Sequence, residues 1–109
     1  MNNRIYQKPY GDKGWAAKAY EDFMLKDGRT ARLEVSTWKV GGLVTTLAHI
    51  GFVTEPGVVV SALFSDYVRR LANVKQRCTK QAVEDQQACF LDIWEQIKGD
   101  AIAHYEGVV

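Results

Sequence analysis

Cysteine is scarce in this sequence, and its scarcity excludes a fold stapled by disulfides. Cys78 and Cys89 are the two cysteines among 109 residues, too few for a disulfide scaffold. On one helix, their spacing would separate them by about 16 Å, whereas a bridge requires Cα atoms within about 7 Å. We therefore expect reduced thiols in a cytoplasmic protein. A disulfide between two copies of the chain is the alternative.

The sequence also lacks the segments that take a chain into a membrane. Residues 1–13 contain no apolar run of the kind found in signal peptides. The long apolar stretch of residues 40–64 is divided by Pro56-Gly57 and is rich in β-branched residues. These features favour two buried strands joined by a turn over one membrane helix. We predict no contact with a membrane.

Motifs that carry catalysis or bind metals are absent from the chain. It has no serine in a GxSxG context, no glycine-rich phosphate loop, and no CxxC or HExxH spacing. A metal site would require His49, His104 and a cysteine to converge from distant positions. We expect His49 to be a core or edge residue with one hydrogen bond, a general base or metal ligand being the alternative. We predict a protein that is not an enzyme and holds no cofactor or metal.

What is present indicates one globular domain. The residues are 47% hydrophobic and 25% charged, as in folded rather than disordered proteins. We predict an α+β fold: an antiparallel sheet of about four strands, a long amphipathic C-terminal helix packed on one face, and a shorter helix before it. The single domain, residues 1–109, divides into an irregular N-terminal arm over 1–16, a β-rich half over 17–64 and a helical half over 65–109. The arm includes a short strand at 4–7.

The clearest local signal is a hairpin around Asp27-Gly28, which separates two β-prone runs over residues 19–38. Glycine tolerates the positive φ that a tight turn requires. A three-residue loop with Gly28 in the left-handed conformation places Phe23 opposite Ala31. One face of the hairpin is then apolar and the other polar, the pattern of a sheet with one packed face. Trp38, at the end of the second strand, falls on the outward side.

Two further strands and a long helix follow. Gly41-Gly42 breaks the chain, and we predict strands over 43–53 and 58–64, joined by a turn at Glu55-Pro56-Gly57. Because neither strand alternates, we expect both in the middle of the sheet, a contact of one of them with a partner being the alternative. Helical spacing favours a helix over 64–77, with a continued strand as the alternative. A long helix over 79–105 starts at the N-cap Thr79 and ends or kinks near Gly99.

Positive charge is concentrated at the junction between the β-rich half and the long C-terminal helix. The segment RRLANVKQRCTK, residues 69–80, holds five basic residues and no acid, whereas residues 40–68 contain no Lys or Arg. Clustered charge creates a local field that a net charge of +1 conceals. We predict this segment, with Trp38, as the partner-binding surface. Its residues are Arg69, Arg70, Lys75, Arg77, Lys80 and Trp38.

Three functions fit these features. The first is a non-catalytic binding module, such as an inhibitor, an adaptor or an accessory factor, including those that mobile elements encode. Positive and negative charges would lie on separate parts of its own surface. Through them it would dock on a protein with an acidic surface, or form a homodimer. The second is a nucleic-acid-binding regulator that uses residues 69–80 on phosphates, although no nucleic-acid motif is present. The third is a small-molecule binder with a pocket between the sheet and the helix that follows Thr79.

Overall fold

The computed structural model describes residues 3–7, 15–55, 58–60 and 67–107, with side chains for 15–53 and 67–107. These residues form one antiparallel sheet of six strands and two helices, which confirms the α+β prediction. In chain order the strands are β1 (Asn3–Gln7), β2 (Ala16–Met24), β3 (Thr30–Val40), β4 (Leu43–Glu55), β5 (Val58–Val60) and β6 (Val68–Lys75), and the helices are α1 (Lys80–Leu91) and α2 (Trp94–Glu106). Neither of these helices is long and apolar enough to span a membrane.

The β2–β3 hairpin has the predicted loop and register. The Leu25 amide donates to the Arg29 carbonyl at 2.8 Å and closes a three-residue loop. Gly28 adopts a φ of 91°, and the Asp27 carboxylate accepts from the Arg29 amide at 3.0 Å. Phe23 pairs with Ala31, as predicted. The turn residues therefore set the register that places the apolar side chains of both strands on one face.

A second hairpin joins β3 to β4 through Gly41-Gly42. Both glycines have positive φ, 55° and 85°, and Val40 pairs with Leu43 across them. Two successive positive φ angles are the requirement of a type I′ turn, whose twist matches that of the strands. The glycine pair that signals a chain break in the sequence is thus a tight hairpin. It puts β4 directly beside β3.

β4 is the central strand, but β5 is not. β4 pairs with β3 along one edge and with β5 and β6 along the other. The prediction that strands three and four both lie in the middle is correct for β4 and wrong for β5, which stands at the end of the strand order. β5 covers Val58–Val60 of the predicted 58–64 strand. Residues 61–66 and the turn residues Pro56 and Gly57 lie outside the described residues.

The predicted helix over 64–77 is wrong where the structure describes the segment. Val68–Lys75 is the strand β6, antiparallel to β4. Leu71 and Val74 have the spacing expected in a helix. The backbone N–H and C=O groups along residues 43–49 of β4 need hydrogen-bond partners, however, and a strand beside β4 supplies them. Tertiary hydrogen bonding therefore outweighs the local periodicity.

The predicted single C-terminal helix is also wrong, because α1 ends at Leu91 and α2 begins at Trp94. Thr79 is the N-cap of α1, as predicted, and its hydroxyl accepts from the Ala82 amide at 3.0 Å. The break comes at Asp92-Ile93 rather than near Gly99, which lies inside α2. Asp and Ile have lower helix propensities than Ala or Leu, but this is a weak signal. The apolar stripe continues across the break and conceals it.

The core lies between the helices and one face of the sheet. Buried side chains from β2, β3 and β4 meet buried residues of α2 in one cluster, which includes Leu33, Val35, Ile50, Trp94 and Ile97. α1 covers the same face through Val83, Gln86 and Gln87. We call the opposite side of the sheet the outer face; it carries Lys18, Ser36, Trp38, His49 and their row neighbours.

Candidate partner-binding surface

β6 presents an edge that no strand in the described part of the chain pairs with. The Ile50 amide donates to the Tyr67 carbonyl at 3.2 Å, and the next pair in the register is His49 with Val68. Hydrogen-bonded and non-hydrogen-bonded pairs alternate in an antiparallel ladder. The N–H and C=O of Val68 therefore point away from β4, toward the free edge. Such an edge is a template for another strand.

A β-bulge shapes this edge. Arg70 pairs with Leu47 and Ala72 with Thr46, so Leu71 is an extra residue without a partner on β4. The Leu71 side chain packs against the core cluster beneath the helices. The bulge thereby anchors the strand from inside while its basic neighbours remain exposed. Bulges and cations are also the devices by which proteins protect an edge from random pairing.

The five predicted basic residues are all exposed, but they differ in what they contact. The Arg69 guanidinium lies 5.4 Å from the centre of the Tyr67 ring. The Lys80 ammonium is 3.7 Å from the Glu84 carboxylate and 5.3 Å from the centre of the Trp15 ring. Both cations therefore have partners within the chain.

The other three, Arg70, Lys75 and Arg77, have no ion-pair partner among the residues that the structure describes. Arg70 pairs with Leu47 and Lys75 with Leu43 of β4, which places both on the outer face. Arg77 follows β6 in the connection to α1. These three cations are the part of the segment whose charge is available to a partner.

Arg69 projects instead toward the helices. It pairs with Ala48, a buried residue of the helix-covered face, and lines a groove between β6 and α2 with Tyr67, Asp100 and His104. Burial raises the pKa of the Tyr67 hydroxyl above its ordinary value, while Arg69 acts in the opposite direction. Asp100 is the acidic member of this groove. A cation of β6 and an acid of α2 therefore line the same groove.

Trp38 does lie on the outer face, as its position in the strand predicts. It pairs with Thr45, and its side chain is half-buried. In the next row of the sheet, Lys18 pairs with Ser36, Ser36 with Leu47, and Leu47 with Arg70. Trp38 thus shares a face with Arg70 and Lys75, but it stands two strands away from β6. Trp38 and the basic residues of β6 therefore lie on the same face of the sheet, but they are not neighbours.

His49 forms one hydrogen bond in the way its sequence context predicts. Its Nε2 lies 2.6 Å from a Glu34 carboxylate oxygen, on the adjacent strand of the outer face. This hydrogen bond holds the pKa of Glu34 below its ordinary value despite burial, and nearby Lys18 acts in the same direction. The Glu34 carboxylate is therefore ionised at neutral pH.

The other residues considered for metal binding are dispersed. His104 lies on α2, while Cys78 and Cys89 are both free. The Cys78 thiol donates to the Trp15 carbonyl at 3.4 Å, and Cys89 is exposed on α1. Within the described residues, no three His, Cys, Asp or Glu side chains are placed to hold a metal.

We expect Glu34→Gln to make the free energy of unfolding less dependent on pH in the acidic range. A carboxylate whose folded pKa is depressed stabilises the protein above its ordinary pKa near 4.5, and this contribution is lost as pH falls through the folded value. The variant should be less stable by about 1 kcal/mol near pH 7. Its stability should also fall less steeply between about pH 5 and pH 3. Urea unfolding across pH measures both effects, and Glu95→Gln, at an exposed helix position, serves as the control. Parallel curves for Glu34→Gln and the parent protein would contradict this role.

No protein-family model matches this chain, and the comparisons with curated proteins and with solved structures found no match either.

Proposed function

We propose that this protein is a small, non-catalytic binding module that takes an acidic, extended segment of a protein partner as an added strand on β6. The observation that carries the proposal is the β6 edge, which no described strand pairs with and which combines the outward backbone of Val68 with Arg70 and Lys75, two cations without an ion-pair partner among the described residues. In strand addition, main-chain hydrogen bonds supply affinity and neighbouring side chains supply specificity. On this proposal the protein is an inhibitor, an adaptor or an accessory factor of the cytoplasm, of a kind that mobile elements also encode.

Charge argues for an acidic partner rather than a second copy of the chain. A homodimer built through β6 would set two such strands antiparallel to each other. Any register of that pairing brings Arg69 and Arg70 of one copy close to the cations of the other, and like charges across strands are destabilising. An acidic segment converts the same geometry into attraction and faster association. A homodimer through β6 is therefore disfavoured.

Nucleic acid is the competing partner, because phosphates would also be attracted to Arg70, Lys75 and Arg77. The two partners differ in what they require of the backbone. A strand needs the outward N–H and C=O of Val68, whereas phosphate neutralisation by side chains does not. A substitution that removes the amide and keeps every charge separates them.

We expect Val68→Pro to weaken binding of an acidic, extended peptide by about tenfold, the effect of losing one hydrogen bond in a desolvated pairing. Proline is tolerated on an edge strand where the N–H faces outward, so the fold is retained. The probe is an octapeptide of alternating Glu and Val, titrated by NMR. Val68→Thr, which keeps the amide and a β-branched side chain, is the matched control.

Two further probes decide between the partners. Oligoglutamate of equal charge tests attraction without strand propensity, and single-stranded oligodeoxythymidylate tests phosphate binding. The proposal expects the alternating peptide to bind best and to be the probe that Val68→Pro affects most. Preferential binding of oligodeoxythymidylate, unchanged in Val68→Pro, would establish the nucleic-acid interpretation instead.

A further inference from the structure

A pocket of about 260 Å³ lies on the outer face of the sheet, away from the helices. Among the residues that the structure describes, its lining comes from three strands: Ala16, Ala17, Lys18, Ser36, Thr37, Trp38 and His49. The pocket predicted from the sequence lies elsewhere, between the sheet and the helix that follows Thr79. On that side α1 covers the sheet with Val83, Gln86 and Gln87, and a groove lies between β6 and α2. The pocket is thus on the opposite side of the sheet from the expected one.

The pocket results from the sizes of neighbouring side chains. Ser36 follows Glu34 and precedes Trp38 on the outer face of β3, and its cross-strand neighbour on β2 is Lys18. Ser36 and Ala16 are small, whereas Trp38, His49 and Lys18 are large. The small residues form a floor, and the large ones form walls around it. A larger side chain at position 36 would fill the space.

The walls offer three kinds of contact. Trp38 supplies an aromatic surface on which a planar ring can stack. The Lys18 ammonium supplies positive charge at an exposed position. His49 supplies ring nitrogens, of which Nε2 is already engaged by Glu34 at 2.6 Å. An apolar cavity with a few convergent polar groups is the usual form of a small-molecule site.

We infer that this pocket binds a small planar aromatic molecule that carries one anionic group. The ring stacks on Trp38 above Ser36, and the anion pairs with Lys18. Glu34, the acid nearest to the pocket, is itself hydrogen-bonded to His49, and Asp22 on the same face is bound by Arg32 at 2.6 Å. Among the described residues that line the pocket, Lys18 therefore supplies the positive charge that a ligand anion can reach. A nucleotide and an aromatic carboxylate share this chemistry, and the inference does not depend on the function proposed for β6.

The test uses two probes that represent the two sources, AMP and indole-3-acetate, with adenosine as the uncharged comparison. Isothermal titration should detect binding of at least one anion, and adenosine should bind about tenfold more weakly than AMP if AMP is the ligand. Ser36→Leu, which fills the floor, should reduce the affinity at least about tenfold, the usual worth of a stacked base. Lys18→Gln should reduce binding of the anion and leave adenosine unchanged.

A second pocket variant and a control variant make the outcome decisive. Trp38→Leu replaces the stacking surface and tests the site should Ser36→Leu fail to fold. Lys26→Gln, at an exposed lysine in the β2–β3 turn, removes the same charge as Lys18→Gln far from the pocket and should leave the ligand affinity unchanged. Binding of neither anion, or binding that is equal in the parent protein, Ser36→Leu and Trp38→Leu, would overturn the inference.

Discussion

Reversing the charges of Arg70 and Lys75 together should weaken binding of the alternating Glu-Val peptide by about thirtyfold. Both side chains are exposed on the outer face, and neither has an ion-pair partner among the described residues. Each reversal replaces an attraction with a repulsion, so the loss should shrink as salt is added. Fluorescence anisotropy of the labelled peptide at several salt concentrations measures it.

Two matched variants separate local charge from net charge. Arg70→Lys with Lys75→Arg keeps both cations and should bind nearly as well as the parent protein. Lys26→Glu with Lys39→Glu changes the net charge equally at two exposed positions of β3 and its preceding turn, away from the β6 edge. If this second variant lost as much affinity as the β6 reversal, binding would follow net charge, and the assignment of the site to β6 would be wrong.

Replacing Gln87 with leucine should lower the free energy of unfolding by about 3 kcal/mol. Gln87 is 1% exposed; its amide donates to the Val35 carbonyl at 2.8 Å, and its carbonyl accepts from the Thr37 hydroxyl at 2.5 Å. The Thr37 hydroxyl lies 2.7 Å from that of Thr46, which in turn accepts from Gln86 at 2.9 Å. Loss of Gln87 therefore removes a buried hydrogen-bond partner from the Val35 carbonyl and from the Thr37 hydroxyl, both on β3.

Urea unfolding followed by tryptophan fluorescence gives this value. Gln81→Leu, at an exposed position in the first turn of α1, is the control and should change stability by less than about 0.5 kcal/mol. Thr37→Val combined with Gln87→Leu removes both members of the pair and should recover part of the loss, since no Thr37 hydroxyl is then left without its Gln87 acceptor. A Gln87→Leu protein as stable as Gln81→Leu would show that the network does not hold α1 on the sheet.

The sequence predicted the parts of the fold that local chemistry controls. Asp27-Gly28 defines its turn through one positive φ, and the alternation along β3 defines which face is buried. The hydroxyl of Thr79 defines where α1 begins. Each of these depends on residues within a few positions of one another, so a single sequence contains the whole signal.

Where distant residues decide the structure, prediction from the sequence was wrong. β6 is a strand because β4 offers it a ladder of backbone groups, although its side chains have helical spacing. Similarly, the buried positions Val83, Gln87, Trp94 and Ile97 recur at three and four as in one continuous helix, and nothing in that spacing marks the break at Ile93. Tertiary structure decides which strand lies beside β6, and the spacing of apolar residues in the sequence does not reveal it.

The candidate site was predicted in part. Charge clustering pointed to residues 69–80 without the structure, but it did not separate Arg70, Lys75 and Arg77 from the internally engaged Arg69 and Lys80. Lys18 was missed because it lies more than fifty positions from the basic segment, and only the register of four strands brings it into a row with Arg70. The outward backbone of Val68 was missed for the same reason.

Hydrogen exchange at the Val68 amide tests the strand-addition proposal most directly. In the free protein this N–H points away from β4 and should exchange rapidly, whereas the amide of Ile50, which donates to the Tyr67 carbonyl at 3.2 Å, should be protected. Saturation with the alternating Glu-Val peptide should slow exchange at Val68 by at least about tenfold, because the amide then donates to the added strand. Unchanged exchange at Val68 in a protein saturated with the peptide would contradict strand addition and leave the basic residues as an electrostatic patch.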